Sequence, residues 1–353
     1  MSYLVDWLFI FSFVILMWKI KFIKPVGQLN ENYLSIDNCN AMRGVFALTP
    51  MIVHIGNCIH YSAPLNWWSI NGNMVVEGFF FFAGFGLMKQ YMARDNYRKG
   101  FLIKRIPRIL IPYILMILLY WAGTFVFYGF LYSPMGVINT ILCGVPIVAY
   151  SWFIIHLLLF YVFFWILMVA CGKHYNLMIL GGMLYFALTS WLFYKQCFGM
   201  HWYETSFGLI IGLIWAVYEK QIFMFMKKFY WIAFAGLLIL TVILYKFNLP
   251  WIYGIFPEDF VIRNVVVFAM MCVCIVVGMM KFEIGNPISN FLGDISLEIY
   301  LLHGFVIMAL KNDKYNMQNE ALFTVIVTVG TIAMAYVMKK CLDVFFAIIY
   351  KKR

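Results

Sequence analysis

The sequence predicts an all-α fold, a polytopic bundle of about ten to eleven membrane-spanning helices. Three observations carry that expectation. Hydrophobic residues make up 65% of the 353 residues and charged residues only 12%, against roughly half and a quarter in a soluble domain. Apolar runs of the length that a bilayer demands follow one another along the chain. Taken as spans, these runs also sort the basic residues to one side. A net charge of +11 would suggest nucleic-acid binding in a soluble chain; here it reports topology, and no nucleic-acid partner is expected.

Residues 2–17 are apolar and are followed by Lys19, Lys21 and Lys24. A secretory signal has the reverse order, so this is read as an uncleaved first helix with its N-terminus outside. Residues 29–40 form a polar connector on the inside, and 41–58 a second helix running outward. Residues 58–71, with Pro64, Trp67 and Trp68, suit an outer loop with an interfacial aromatic anchor. A third helix over 72–89 returns inward to the most basic stretch, 89–108. Further spans are expected at 109–129, 151–171, 177–194, 205–218, 230–246, 262–280, 292–310 and 321–338. The apolar stretch 134–150 contains Pro134 and Pro146, which argue for a re-entrant or loop segment. This layout puts twenty of the 26 lysines and arginines on one side, read as cytoplasmic. Lys195, Lys246, Arg263, Lys311 and Lys314 fall on the other, and Arg43 within a span. The C-terminus is then cytoplasmic. The eight cysteines show neither metal-ligand spacing nor a disulfide framework, so they are expected to pack, and no metal site is expected.

Ionisable groups at membrane depth cost about 2.5–3.5 kcal/mol each on insertion scales, so they are usually there for a task. The segment 42–54 carries Arg43 and, eleven positions on, His54. At ~1.5 Å per residue they stand roughly 16 Å apart along one helix. His54 is expected one turn below the outer surface and Arg43 near the inner one. Glu77, on the returning third helix, falls at a depth similar to His54. A carboxylate beside an imidazole fixes its tautomer and raises its basicity, an arrangement suited to a general base. His156 is expected in the outer third and His303 near mid-depth. Glu298 and His303 do not share a helix face. Gly84, Gly86, Gly208 and Gly212 read as close-packing positions, since no strand precedes them to make a phosphate loop.

Four stretches resemble acyltransferase family 3, the multi-span O-acyltransferases that modify surface sugars. They are Met42-Arg43-Gly44 with His54 at the family's spacing, and Glu77-Gly78 followed by four phenylalanines, Ala83, Gly84, Phe85 and Gly86. The third runs from Phe101 through Lys104, Arg105 and Arg108 to Pro112 and Tyr113. The last joins Gly293, Ser296, Tyr300 and His303. Ser151-Trp152-Phe153 agrees more weakly. The chain has Glu77 where the family usually has Asp, Asn40 where an acid often stands three residues before the arginine, and His156 where many members have a glutamate. It is expected to begin one helix early, with 1–28 as an additional helix and basic flank. Residues 29–353 then form the family's membrane domain, with no fused hydrolase-like domain.

The resemblance implies a donor acyl-CoA, acetyl-CoA foremost, used as substrate with no tightly bound cofactor. It implies donor binding by Arg43, Lys104, Arg105 and Arg108, the last two on one helix face at the cytoplasmic mouth. His54 and Glu77 would be catalytic, and Trp152, His156 and His303 would contact substrate. A carbohydrate hydroxyl would be the acceptor, in the cell membrane among its lipids, with a separate glycan-assembly protein as partner. Direct attack and an acyl-histidine relay both stay open. So does a second class of function, a transporter or flippase for a lipid-linked sugar or small metabolite, whose buried polar residues would line a path.

Overall fold

The computed structural model describes residues 4–23, 27–59, 72–246 and 259–351; the expected aromatic anchor at Trp67 and Trp68 lies outside them. The chain folds as an all-α bundle, as the composition requires. Its helices are α1 (Leu4–Met17), α2 (Ile36–Gly56), α3 (Gly72–Ala93), α4 (Phe101–Arg105), α5 (Pro107–Gly123), α6 (Pro134–Leu142), α7 (Trp152–Ala170), α8 (Tyr175–Lys195) and α9 (His201–Glu204). They continue as α10 (Phe207–Lys246), α11 (Asp259–Met279), α12 (Pro287–Asp294), α13 (Ser296–Leu310) and α14 (Glu320–Lys351). Among the described residues, six helical stretches are long and apolar enough to cross a bilayer, or seven if the bent pair α12–α13 is one span. The helices α2 and α3 are 21 and 22 residues long but carry the polar residues of the site, which lower their apolarity.

The expected spans 205–218 and 230–246 correspond to two arms of α10 that are kept apart as expected, by non-helical backbone at Tyr218 and Phe229 on either side of 219–228. Two boundaries differ from the sequence reading. The expected span 292–310 is bent by 72° at Ile295, where ψ is 14°. The last helix runs on to Lys351, helped by the Lys339–Asp343 pair at i,i+4. Within 134–150, the nine-residue α6 is about 14 Å long, too short to cross.

Helix α2 is the hub, packing against α1, α3, α12, α13 and α14. Glycine sets how closely the partners approach. A side chain at Gly44 would strike the backbone of Ser289 and Gly293, and one at Gly293 the backbone of Asn40, so α2 and α12 meet backbone to backbone. Gly84, Gly208 and Gly212 do the same between α3 and the first arm of α10. Small residues in such contacts are what drives helix association where lipid removes the hydrophobic incentive. Gly86 differs from the reading: a Cβ there meets nothing within 4 Å, and the residue lines a cavity instead.

Polar contacts gather at the two ends. At one end Lys21–Phe22 (β1) pairs antiparallel with Phe282–Glu283 (β2). Lys281 is held there by the carbonyls of Ile23 and Gln28, among the rings of Phe22, Tyr230 and Trp231. Lys89 pairs with Glu219, and Lys173 bonds Asp95 at 2.7 Å, which holds that exposed carboxyl below its usual range. At the other end Lys314 reaches the carbonyl of Val126, and Lys311 lies over the Phe323 ring.

The glycine contacts give a paired expectation. Gly84→Ala forces a methyl into the Leu209 backbone and should cost about 1–3 kcal/mol through overpacking, read as a lower thermal midpoint in detergent. Gly86→Ala should leave the midpoint unchanged. Equal midpoints for the two variants would contradict close packing at Gly84.

Candidate active site

Two imidazoles meet where α2 passes α13. His54 Nδ1 lies 2.8 Å from His303 Nε2, and the two rings are nearly parallel, 9° apart. The other nitrogen of His303, Nδ1, faces the carbonyl of Ile299 at 3.2 Å. A carbonyl only accepts, so His303 Nδ1 carries its proton and, in the neutral ring, Nε2 has the lone pair. His54 must then donate from Nδ1, which leaves the lone pair of a neutral His54 on Nε2. One backbone carbonyl therefore sets two tautomers in series, and the second ring becomes a base or nucleophile at a defined atom.

Tyr150 covers this pair. Its ring stacks on His54 with centroids 3.4 Å apart and planes 10° apart. It lies 5.4 Å from the His303 ring. Its backbone is left-handed, φ 65°, a conformation that costs a non-glycine residue about 1–2 kcal/mol. The Tyr300 hydroxyl donates to the Tyr150 carbonyl.

A cavity of about 710 Å³ lies at the basic end, within the size range of small-molecule sites. Its wall on α3 runs from Lys89 and Gln90 through Gly86 and Phe82 to Phe79, and its wall on α7 from Tyr161 through Leu157 to Phe153. Tyr300 lines it from α13. The ring of Phe153 packs on Phe79 (5.8 Å) and on Tyr300 (5.4 Å), giving the cavity an aromatic floor. From that floor the Tyr300 hydroxyl reaches the carbonyl of Tyr150, which lies on the histidine pair.

Arg43 and Arg105 both line this cavity. Arg43 Nη2 donates to Asn40 Oδ1 at 3.0 Å, and Asn40 Nδ2 donates to Asp294 Oδ1 at 2.8 Å. The acid absent from position 40 is thus supplied by the end of α12 and relayed through an amide. Among the described residues Arg43 Nε has no hydrogen-bond partner, so the guanidinium keeps donor capacity for an anionic oxygen. Arg105 donates to the Tyr97 hydroxyl at 3.0 Å.

Other expected site residues sit differently. Glu77 does not orient His54. Its Oε2 accepts from the Ser206 amide at 2.9 Å, ahead of α10, where the positive end of the helix favours a carboxylate. Its Oε1 has no partner among the described residues. Glycine packing explains the correction: Gly208 and Gly84 bring α10 onto the face of α3 that carries Glu77. Arg105 and Arg108 do not share one helix, because α4 ends at Arg105 and α5 begins at Pro107. Neither Arg108 nor the exposed Lys104 lines the cavity. His156 Nε2 bonds the carbonyl of Trp202 at 2.6 Å, tying α7 to α9. Trp152 packs among Phe80, His156 and His201. Both are buried, and neither hydrogen-bonds His54 or His303 among the described residues. Sequence reasoning missed Tyr150, Tyr300 as a floor residue, and Asp294.

The two placements of Glu77 make different demands. If its carboxylate caps α10, Glu77→Gln weakens the cap and should lower the thermal midpoint by a few degrees, consistent with about 1 kcal/mol at a helix N-terminus. Turnover per folded molecule should then stay within about threefold. A large loss of turnover at an unchanged midpoint would return Glu77 to the histidine.

The sequence was also compared with known proteins. No curated protein and no solved structure matches it. The family model described as an acyltransferase domain matches residues 36–340, from the first residue of α2 into α14, and so takes in the histidine pair, Arg43, Arg105 and most of the cavity lining. The chain is a multi-pass membrane acyltransferase and belongs to acyltransferase family 3.

Proposed function

We propose that this acyltransferase is an O-acyltransferase. It takes an acyl group, acetyl foremost, from acyl-CoA bound in the basic-end cavity and passes it to a carbohydrate hydroxyl arriving from the opposite face of the cell membrane. The observation that carries the reading is the tautomer series Ile299–His303–His54, because it leaves an unprotonated nitrogen, Nε2, at a defined position on a partly buried ring. Arg43 and Arg105 suit the anionic groups of the donor. The charge asymmetry supports a cytoplasmic donor side, with the N-terminus outside and the C-terminus inside. The sugar acceptor is supported by family membership.

In the direct route His54 Nε2 takes the hydroxyl proton as the oxygen attacks the thioester carbonyl. The C–S bond then breaks, and the proton passes from the imidazolium to the leaving thiolate. In the relay route the same lone pair attacks the thioester carbonyl, the C–S bond breaks, and the coenzyme A thiolate takes up the proton given up by the acyl-imidazolium. The acceptor oxygen then attacks the acyl carbon, the C–N bond breaks, and the hydroxyl proton returns to the imidazole. Either route spends the same nitrogen, and His303 acts as a positioning residue. Arg43 is held for donor binding by Asn40 and Asp294.

His54→Ala should reduce transfer of label from acetyl-CoA by at least about 100-fold while the protein still inserts and stays monodisperse. Retained transfer would remove His54 from the mechanism, and uptake of label into vesicles without transfer would favour the permease. Arg43→Gln and Arg105→Gln should each raise the donor KM by about tenfold or more, the size of a lost charge-assisted hydrogen bond. Unchanged donor KM in both would place the donor elsewhere.

A further inference from the structure

The Tyr150 backbone is held where glycine would rest more easily, with φ 65°. What this conformation achieves is specific: it lays the ring flat on His54 at 3.4 Å, within 10° of parallel. Two other elements are shaped around that ring. Gly304, next to His303 on α13, is bare on the side where Tyr150 sits; a Cβ there would come to 3.2 Å from Tyr150 Cδ2, 3.1 Å from Ala149 Cβ and 2.6 Å from the Tyr120 hydroxyl. The Tyr300 hydroxyl holds the Tyr150 carbonyl, while the same residue lines the cavity and its ring packs on Phe153 in the floor.

We propose that Tyr150 is the positioning residue of the histidine pair, its ring fixing the plane of His54 while Tyr300 latches its left-handed backbone to the floor of the donor cavity. The hydrogen bond to His303 fixes which nitrogen of His54 donates, but leaves rotation about that bond open. The stacked ring removes that freedom, so Nε2 keeps one direction. Tyr300 adds a mechanical link: a donor pressing on the floor moves the residue that holds Tyr150, and hence the lid over His54. The inference rests on the reading of His54 as the reacting imidazole.

The test uses the full-length protein in detergent or vesicles, with labelled acetyl-CoA as donor. Tyr150→Phe keeps the ring and should hold kcat within about threefold. Tyr150→Gly removes the ring, and relief of about 1–2 kcal/mol of left-handed strain offsets part of the lost packing, so it should still fold. Its kcat should nevertheless fall by about 30-fold or more at unchanged donor KM. Tyr300→Phe frees the carbonyl and should lower kcat while Tyr150 remains in place. A Tyr150→Gly protein with full kcat, or one in which kcat and donor KM shift together, would overturn the positioning role. So would a Phe variant as poor as the Gly variant. His54→Ala, assayed alongside, separates the two failures: an inactive His54→Ala with an active Tyr150→Gly sinks this inference alone, and an active His54→Ala sinks the reading beneath it.

Discussion

One hydrogen bond between two imidazoles holds the chemistry of this site. His54 and His303 come from helices far apart in the chain, and their bond defines a nucleophilic or basic nitrogen without a carboxylate. Two neutral rings carry less desolvation cost at membrane depth than an ionised pair would. The orienting acceptor is a main-chain carbonyl, Ile299, which is present in any helix and needs no charged side chain. Everything around the bond keeps α2 and α13 in register: the bare contacts at Gly44 and Gly293, the bend at Ile295, and the amide bridge from Arg43 to Asp294.

The buried carboxylate has been turned to another task. Glu77 lies at the start of α10 rather than at the histidine, and the first arm of α10 packs along α3 through glycines. That arm brings Glu219 to Lys89 at the cavity mouth. Arg43 shows the complementary case, a cation exposed to the cavity on one side and braced on the other by a hydrogen-bonded amide and an acid.

Much of this was legible in the sequence. The apolar runs specified the helices, and Arg43 and His54 stood out because charge and polarity are costly in a span. The family motifs marked the helices that meet at the site. The pairing of His54 was misread because depth was counted from estimated span ends. The true reference is the contact of Gly44 with Gly293, ten residues before His54 on α2 and ten before His303 across the bend into α13. The face of Glu77 was readable in principle, since Gly84 lies seven residues on and shares its helix face. Tyr150 gave no periodic signal, for it sits in a connecting turn whose conformation comes from tertiary contacts. The break between Arg105 and Arg108 was signalled by Pro107.

The tautomers are the most direct test. Nitrogen NMR of histidine-labelled protein in detergent, with His54 and His303 assigned by single replacement, reports which ring nitrogen of each carries hydrogen. The geometry requires protonated Nδ1 and bare Nε2 on both rings. A hydrogen on Nε2 of neutral His54, or a His303 protonated at Nε2 and bare at Nδ1, would contradict it.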